Sequence, residues 1–254
     1  MESVWEGNSS PGQAEEAMPL ATVVALTCNP PQYVLLALRQ IALQDYPALE
    51  ALVVHDGTAP LAPLLRAAYP ALEIVTGAPE LPPAAGGFVV RLLRLPHQAS
   101  IGEKRALASR AARGDVVVHW DDDDFFEPGR ISAQVAPIVR GAAEVTSVEL
   151  SHMVAMPAME VYAIPGQRLP LWSSLAYRAS LGRELSFLNV SLAEDVDFAE
   201  RAVQASTDPH PGHQPTPLPP LTRYWKRLSS PHSRAPLLHA FHPHVLPTAG
   251  LPPL

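Results

Sequence analysis

Residues 21–55 read ATVVALTCNPPQYVLLALRQIALQDYPALEALVVH, and their pattern indicates the fold class. It begins with a short apolar, β-branched run at residues 21–27, which is typical of a strand buried on both faces. Asn29 is predicted to cap a helix that continues through Gln44, because prolines are tolerated in a first turn and apolar residues recur at helical spacing. A second buried strand follows at residues 50–55. A strand, a helix and a strand in this order predict parallel strands joined by a right-handed crossover.

The same alternation continues through the middle of the chain. Ser100-Ile-Gly-Glu103 and Ser191-Leu-Ala-Glu194 both have the pattern of a capping box, which predicts a helix start at each place. The other runs predict strands at 72–75, 88–95 and 115–120, two or three more within 144–164, and helices at 60–68 and 129–140. We therefore predict an α/β domain with a mostly parallel sheet flanked by helices.

Composition excludes several classes of function. A formal charge of −7 argues against a nucleic-acid partner, which would require a basic patch, and against a polybasic membrane-surface protein. The single cysteine, Cys28, excludes an internal disulfide framework and a cysteine-based zinc cluster. No apolar run approaches the roughly 18 to 20 residues that a membrane span needs, and the acidic start lacks the pattern of a signal peptide. We expect a cytoplasmic protein, with peripheral membrane association as the alternative.

The distribution of proline divides the chain into three parts. Residues 1–19 are predicted to be a disordered lead-in, and residues 20–205 to form the folded domain. Residues 206–254 contain 12 of the 29 prolines and six of the ten histidines, which predicts a mostly irregular tail. Within that tail, only residues 221–228 have a composition that favours ordered structure.

Four consecutive aspartates at residues 121–124 follow the strand predicted at 115–120. Neighbouring carboxylates raise one another's pKa and burial raises it further, so a divalent cation would relieve the cluster. Hard oxygen ligands suit Mg²⁺ or Mn²⁺, and open α/β sheets bind ligands beyond the carboxyl ends of their strands. The sequence therefore predicts a metal site here, and the alternative is a solvated acidic turn that caps the next helix.

Alternation along an extended chain would decide which of these aspartates act together. Asp121 and Asp123 would point to one side and hold the metal, with Asp124 in reserve because a turn is expected before Phe125. Asp122 would point to the other side, toward a ribose hydroxyl or the local backbone. Asp121 and Asp122 are accordingly expected to contact a nucleotide.

Three blocks of sequence together resemble family 2 glycosyltransferases of the GT-A fold. The first joins the opening strand and helix to Val53-Val-His-Asp-Gly-Thr58, the second runs from Gly102-Glu-Lys-Arg105 to the aspartates, and the third is Glu194-Asp-Val-Asp-Phe198. They are similar to the family's Asp-Asp-Gly-Ser block, its DxD motif and its Glu-Asp motif. The resemblance implies a Rossmann-like, mostly parallel sheet with a short mixed-sheet acceptor region. It also implies metal-dependent, inverting transfer of a hexosyl or N-acetylhexosaminyl group from a UDP- or GDP-sugar donor, and leaves a saccharide, lipid or protein acceptor open.

The resemblance also implies roles for single residues at the donor site. Asp56 would hold the nucleobase in a pocket that Thr27 and Asn29 line, although Asp-Gly-Thr is also a common turn start. Arg105 would lie at the nucleotide, and the alternative is that Lys104 and Arg105 form a solvated helix face.

A further role falls on the third block. Asp195 corresponds to the family's catalytic base, which removes the proton of the acceptor hydroxyl. Glu194 has a local alternative as the capping-box partner of Ser191, and Asp197 has one as a complement to the helix dipole.

The chain departs from the family pattern at Cys28, His55 and Ala106. These departures leave open a catalytically weak or inactive relative that binds sugar nucleotides. A nucleotidyltransferase is the other alternative, and it is disfavoured because Thr27-Cys-Asn-Pro-Pro31 is not the glycine-rich basic loop expected after the first strand.

Overall fold

The computed structural model describes residues 18–28, 30–75, 88–150, 152–155, 160–163, 169–205 and 223–226. Only the backbone is described for the segments between 149 and 172 and for 223–226. The described helices are α1 (Pro31–Ala42), α2 (Leu61–Ala68), α3 (Ile101–Ala111), α4 (Arg130–Val139), α5 (Ala179–Leu185) and α6 (Glu194–Ala205). The described strands are β1 (Ala21–Thr27), β2 (Leu49–His55), β3 (Glu73–Ile74), β4 (Val89–Arg94), β5 (Val116–Asp121), β6 (Asp124–Phe125), β7 (Val145–Leu150), β8 (His152–Ala155), β9 (Glu160–Ala163), β10 (Leu169–Arg178) and β11 (Arg223–Lys226).

The strands form two sheets. The larger has seven strands in the order β3-β4-β2-β1-β5-β10-β7, and the smaller has four in the order β6-β11-β8-β9. The strands from β3 to β5 in the larger sheet pair in parallel, while β10 pairs antiparallel with both β5 and β7. Parallel pairing brings the carboxyl ends of β1, β2 and β5 to one edge, where Leu26 lies beside Asp121 and Thr27 beside His55.

Helices cover both faces of the larger sheet. On one face, α1, α2 and α4 pack their apolar side chains against β1, β2 and β5, with Leu38 and Ile131 among the buried contacts. On the other face, α3, α5 and α6 pack around an aromatic group that includes Tyr177, Phe187 and Phe198. The near-continuous apolar sequences of β1 and β2 follow from this double coverage, since neither face meets water.

A buried ionic network lies near the amino-terminal ends of the strands, away from the acidic run. Glu50 Oε1 accepts hydrogen bonds from Thr22 Oγ1 at 2.6 Å, Arg91 Nη1 at 3.2 Å and the Arg113 backbone N–H at 3.1 Å. Glu50 and Arg91 are each only 2% exposed. Burial lowers the pKa of Arg91, an effect that the Glu50 carboxylate opposes. The network joins β1, β2 and β4 to the end of α3.

The two predicted capping boxes have different outcomes. Ser100 Oγ accepts a hydrogen bond from the Glu103 N–H at 3.0 Å, which confirms the helix start predicted from the first box. The second is wrong, because α6 begins at Glu194 and Ser191 Oγ accepts instead from the Ile101 N–H at 3.1 Å. The predicted cap of α1 is wrong as well. Pro30 occupies that position without a side-chain hydrogen bond, and Asn29 lies outside the described residues.

Two further elements can be compared with the sequence predictions. The sequence patterns did not predict α5, a seven-residue helix that follows β10 directly. Residues 223–226 form β11 within the part of the tail expected to be ordered, while the rest of 206–254 and residues 1–17 lie outside the described residues. Among the described helices, none is long and apolar enough to cross a membrane.

Candidate functional site

The acidic run turns sharply where β5 ends. Asp121 is the last residue of β5, Asp122 and Asp123 form a turn, and Asp124 begins β6. The extended chain on which the alternation argument depended is therefore absent here, and the turn expected before Phe125 is present. The turn brings Asp124 to the same place as Asp121 and Asp123, and one carboxylate oxygen from each of the three lies within 4.8 Å of the others. Asp122, Asp123 and Asp124 are buried, and Asp121 is half-buried.

This donor set fits a divalent cation. Each of Asp121, Asp123 and Asp124 offers a hard carboxylate oxygen, the ligand type that Mg²⁺ and Mn²⁺ prefer. Two oxygens on opposite sides of an ion bound at about 2.1 Å lie about 4 Å apart, so small side-chain rotations suffice to close the cluster. The burial of Asp123 and Asp124 makes their mutual repulsion costly without a cation.

A buried arginine links the acidic turn to α6. Arg105 Nη2 lies 3.9 Å from Asp121 Oδ1, and Arg105 Nε lies 3.3 Å from Glu194 Oε1. Burial raises the pKa of Glu194, the Arg105 charge lowers it, and the charges of Asp195 and Asp121 raise it. Glu194 therefore faces the site, and its predicted capping role does not occur.

The neighbouring lysine holds Asp56 at the end of β2. Lys104 Nζ lies 3.1 Å from both carboxylate oxygens of Asp56, and the Ala99 N–H donates to Asp56 Oδ2 at 3.1 Å. The side chains of Lys104 and Arg105 are 7% and 3% exposed, so the alternative of a solvated helix face is wrong. Adjacent residues of α3 thus neutralise two different acidic groups at the same edge of the sheet.

A chain of buried hydrogen bonds connects the backbone of Arg105 to Tyr177 and His119. Ser109 Oγ donates to the Arg105 carbonyl at 2.9 Å, so its only proton is used and it must accept from Tyr177 Oη at 2.8 Å. The Tyr177 hydroxyl in turn accepts from His119 Nε2 at 2.9 Å. Burial holds the pKa of His119 well below its usual range, so the ring is neutral, and its hydrogen bond to the Tyr177 hydroxyl assigns the proton to Nε2. His119 is a packed side chain, 1% exposed.

Asp195 is half-buried in the first turn of α6, directly after Glu194. Its Oδ1 accepts a hydrogen bond from the Val196 N–H at 2.8 Å. Asp197, two residues further along the helix, pairs instead with Arg201, whose Nη2 lies 2.6 Å from Asp197 Oδ2. The two aspartates therefore differ: Asp195 neighbours the residue that Arg105 binds, and Asp197 belongs to a pair within the helix.

The end of β1 supplies an unsatisfied polar atom. Thr27 is 2% exposed, and its Oγ1 has no hydrogen-bond partner among the residues that the structure describes. A buried hydroxyl without a partner is costly, and such atoms commonly bind a ligand or water. Cys28 follows as a free, half-exposed thiol whose pKa is raised by burial and lowered by the Lys104 charge. Asn29, the third residue predicted for this pocket, lies outside the described residues.

Polar side chains of α1 fasten the segment that follows the aspartates. Gln40 Nε2 donates to the Asp124 carbonyl at 3.5 Å, and Gln40 Oε1 accepts from the Phe126 N–H at 3.3 Å. Gln44 Nε2 donates to the Glu127 carbonyl at 3.0 Å. The sequence patterns gave these glutamines no role, and they also missed Arg130, the first residue of α4. Local periodicity carries no signal for such contacts, because their partners lie more than eighty residues away.

The loop between α5 and α6 lies directly on the start of α3. The Gly102 N–H donates to the Val190 carbonyl at 2.9 Å, and Ser100 Oγ lies 2.6 Å from Asn189 Oδ1. A Cβ on Gly102 would stand 1.7 Å from the Leu188 carbonyl oxygen, so only glycine permits this approach. The contact fixes the loop that leads to Glu194, and it occupies the first N–H groups of α3.

Comparison with known proteins agrees with this architecture. A model of the family described as glycosyl transferase family 2 matches residues 22–152, which is more than half of the chain. No curated protein matches significantly. Residues 1–349 of S. aureus TarS are 15% identical, with a TM-score of 0.56 over 82% of this chain and 60% of that one. The complex of the same TarS fragment with UDP-GlcNAc is 19% identical, with a TM-score of 0.53 over 72% and 53%.

A mannosyltransferase, PcManGT from Pyrobaculum calidifontis, was solved in complex with GDP-Man and Mn²⁺. It is 17% identical, with a TM-score of 0.58 over 82% of this chain and 56% of that one. At these identities the likeness concerns the fold, and the predicted α/β architecture of GT-A type is confirmed. The chain spans between 53% and 60% of the length of these three solved chains.

Proposed function

The chain belongs to glycosyl transferase family 2, and on this basis we propose that it transfers a sugar from a nucleoside-diphosphate sugar to an acceptor hydroxyl with inversion at the anomeric carbon. The observation that carries the proposal is the meeting of the acidic turn with α6 through Arg105. Asp121 and Glu194 both lie near this one guanidinium, at 3.9 and 3.3 Å from its nitrogens. A cation site and a candidate base, Asp195, therefore share one edge of the sheet.

The donor would lie along this edge. Thr27 offers a buried hydroxyl that has no partner among the described residues, and Asp56 is paired with Lys104, so both can hydrogen-bond the nucleobase. Asp122, in the turn, would contact the nucleotide as well. Arg105 would lie near the diphosphate, where its positive charge is favourable. Asp121, Asp123 and Asp124 would hold Mn²⁺ or Mg²⁺, whose charge neutralises the departing diphosphate.

Asp195 would act on the acceptor. As the acceptor oxygen attacks the anomeric carbon, a bond forms between them and the bond from that carbon to the diphosphate breaks, while the hydroxyl proton passes to the Asp195 carboxylate. One carboxylate oxygen of Asp195 is oriented by the Val196 N–H, which leaves the other available to accept that proton. Glu194, in the same turn of α6, lies 3.3 Å from Arg105 Nε, so an ion pair would link the candidate base to the donor site.

Two neighbours support the choice of donor class. TarS has been solved with UDP-GlcNAc and the mannosyltransferase with GDP-Man and Mn²⁺. We propose a UDP- or GDP-linked sugar for this chain by the same chemistry, since the carboxylates that the acidic turn brings together would bind a metal–diphosphate group in either case.

Ligand-dependent thermal stabilisation tests the donor site. Unfolding is followed with UDP, GDP and CDP, each with and without Mn²⁺. A nucleotide present at a hundred times its dissociation constant stabilises the folded state by about 2.7 kcal/mol. Asp123→Ala is expected to lose the Mn²⁺-dependent part of this stabilisation. Stabilisation that is the same with and without Mn²⁺ would contradict the metal site.

Hydrolysis of the donor tests catalysis, because water replaces the unknown acceptor. Asp195→Asn is expected to keep nucleotide binding and to lose turnover by a factor of about 10² to 10⁴, the usual contribution of a general base. Asp197→Asn is the matched control, since it removes a carboxylate from the same helix turn and should retain turnover. Full activity in Asp195→Asn would remove the base assignment. Binding without turnover in the unmodified protein would favour the inactive relative that Cys28, His55 and Ala106 leave open.

A further inference from the structure

We propose that Arg130 is a positioning residue for the acidic turn, and that it keeps Asp121, Asp123 and Asp124 close enough to bind one cation. The inference rests on the metal site of the proposed function, and it adds the side chain that holds the acidic turn in its metal-binding shape. Arg130 is the first residue of α4 and is 1% exposed, although arginine is rarely buried so completely. Its side chain contacts residues on both sides of the turn.

Two aromatic rings bracket the turn and share this guanidinium. Trp120 directly precedes Asp121, and Phe126 follows β6. The Arg130 Cζ atom lies 3.7 Å from the centroid of the Phe126 ring and 4.8 Å from that of Trp120. The two rings meet edge to face, with centroids 4.8 Å apart and planes at 72°. The Arg130 guanidinium therefore attracts the rings at both ends of the turn, and the contact between the two rings holds those ends together.

Hydrogen bonds fix the guanidinium in this place. Arg130 Nη2 donates to the carbonyls of His119 at 2.6 Å and Ser174 at 3.1 Å, which lie on β5 and β10. Arg130 Nε donates to Gln134 Oε1 at 2.8 Å, and Gln134 Nε2 donates to the same Ser174 carbonyl at 2.8 Å. These bonds require the planar fork of arginine, because an ammonium group cannot serve two ring faces and three acceptors in fixed directions.

The acidic turn needs such a clamp because its carboxylates repel one another. Without a cation, repulsion among Asp121, Asp123 and Asp124 favours a wider turn. The buried charge of Arg130 and its links to Trp120 and Phe126 oppose that widening. Arg130 thus acts through the backbone and the flanking rings, and it prepares the site before the cation arrives.

Mn²⁺ titration of the full chain tests the clamp, with free Mn²⁺ followed by electron paramagnetic resonance. Arg130→Met keeps the apolar volume and removes the charge and the fork, and it is expected to weaken Mn²⁺ binding about tenfold or more. Arg130→Lys should give an intermediate loss. Arg178→Met is the matched control, because Arg178 also joins β10 to the α4 layer, through Glu144 at 2.9 Å and the Ile138 carbonyl at 2.7 Å, but does not contact the turn. It should change Mn²⁺ affinity by less than about twofold.

The outcomes separate the clamp from general stability and from the metal site. Unchanged Mn²⁺ affinity in folded Arg130→Met, or an equal loss in Arg178→Met, overturns the proposal. If Arg130→Met does not fold, Arg130→Lys and Phe126→Leu take its place, and wild-type affinity in both overturns it. If the unmodified protein binds no Mn²⁺, the metal site fails. Amide exchange at residues 121–126 then decides: faster exchange in Arg130→Lys than in Arg178→Met supports the clamp, and equal exchange overturns it.

Discussion

The ion pair between Lys104 and Asp56 allows a quantitative test of how the donor site is held together. Lys104→Met keeps most of the apolar stem and removes the ammonium group. The two side chains are 7% and 4% exposed, and the charged atoms lie 3.1 Å apart. At an effective dielectric constant of about 20, this separation gives an attraction of about 5 kcal/mol, which the loss of hydration largely offsets. Removal of one partner leaves the other buried and unpaired, and the expected cost in unfolding free energy is about 3 to 5 kcal/mol.

A double-mutant cycle measures this interaction directly. Urea unfolding is followed for the unmodified protein, Lys104→Met, Asp56→Asn and the combined variant. Because the combined variant leaves no unpaired charge, it should cost less than the sum of the two single changes, by about 2 kcal/mol or more. Nucleotide binding should weaken in Asp56→Asn, which removes the carboxylate proposed to bind the base. If the two single changes add to within about 0.5 kcal/mol, the pair does not form as described.

Two further changes test parts of the scaffold. Glu50→Ala removes the acceptor that Arg91 shares in the buried network, and it should destabilise the protein by about 3 to 5 kcal/mol in urea unfolding; a cost below 1 kcal/mol would show that the charge is already hydrated. Gly102→Ala places a methyl group 1.7 Å from the Leu188 carbonyl and should cost about 1 to 3 kcal/mol. Gly129→Ala, whose Cβ would meet its nearest neighbour at 3.7 Å, is the control, and equal costs would contradict the close approach.

Much of the fold could be predicted because its signals are local. The β-branched run at 21–27 and the helical spacing after it lie within one window of sequence, and β1 and α1 are found there. Ser100 and Glu103 are three residues apart, so a capping box is visible without any knowledge of the fold. Predictions of this kind succeed when the stabilising contacts are made between neighbours in the chain.

The candidate site was harder to predict because its contacts join distant residues. Nothing near Ser191 in sequence indicates that its hydroxyl bonds Ile101, so the capping box there was a false signal. The burial of Lys104 and Arg105 likewise depends on partners about fifty residues before and ninety after them, and a lone basic pair usually means a solvated surface. The turn at Asp122 and Asp123 depends on α1 and α4, which fasten the residues that follow.

The pairing of β11 with β6 has a consequence for synthesis. Trp225 pairs with Phe125 and Lys226 with Asp124, so the acidic turn receives this backbone partner from a segment one hundred positions later. Every strand of the seven-stranded sheet has been translated by Arg178, whereas the partner of β6 is complete only when residue 226 is translated. A nascent chain halted in that interval would carry a complete large sheet and an unpaired β6 edge, and such edges invite pairing with other chains.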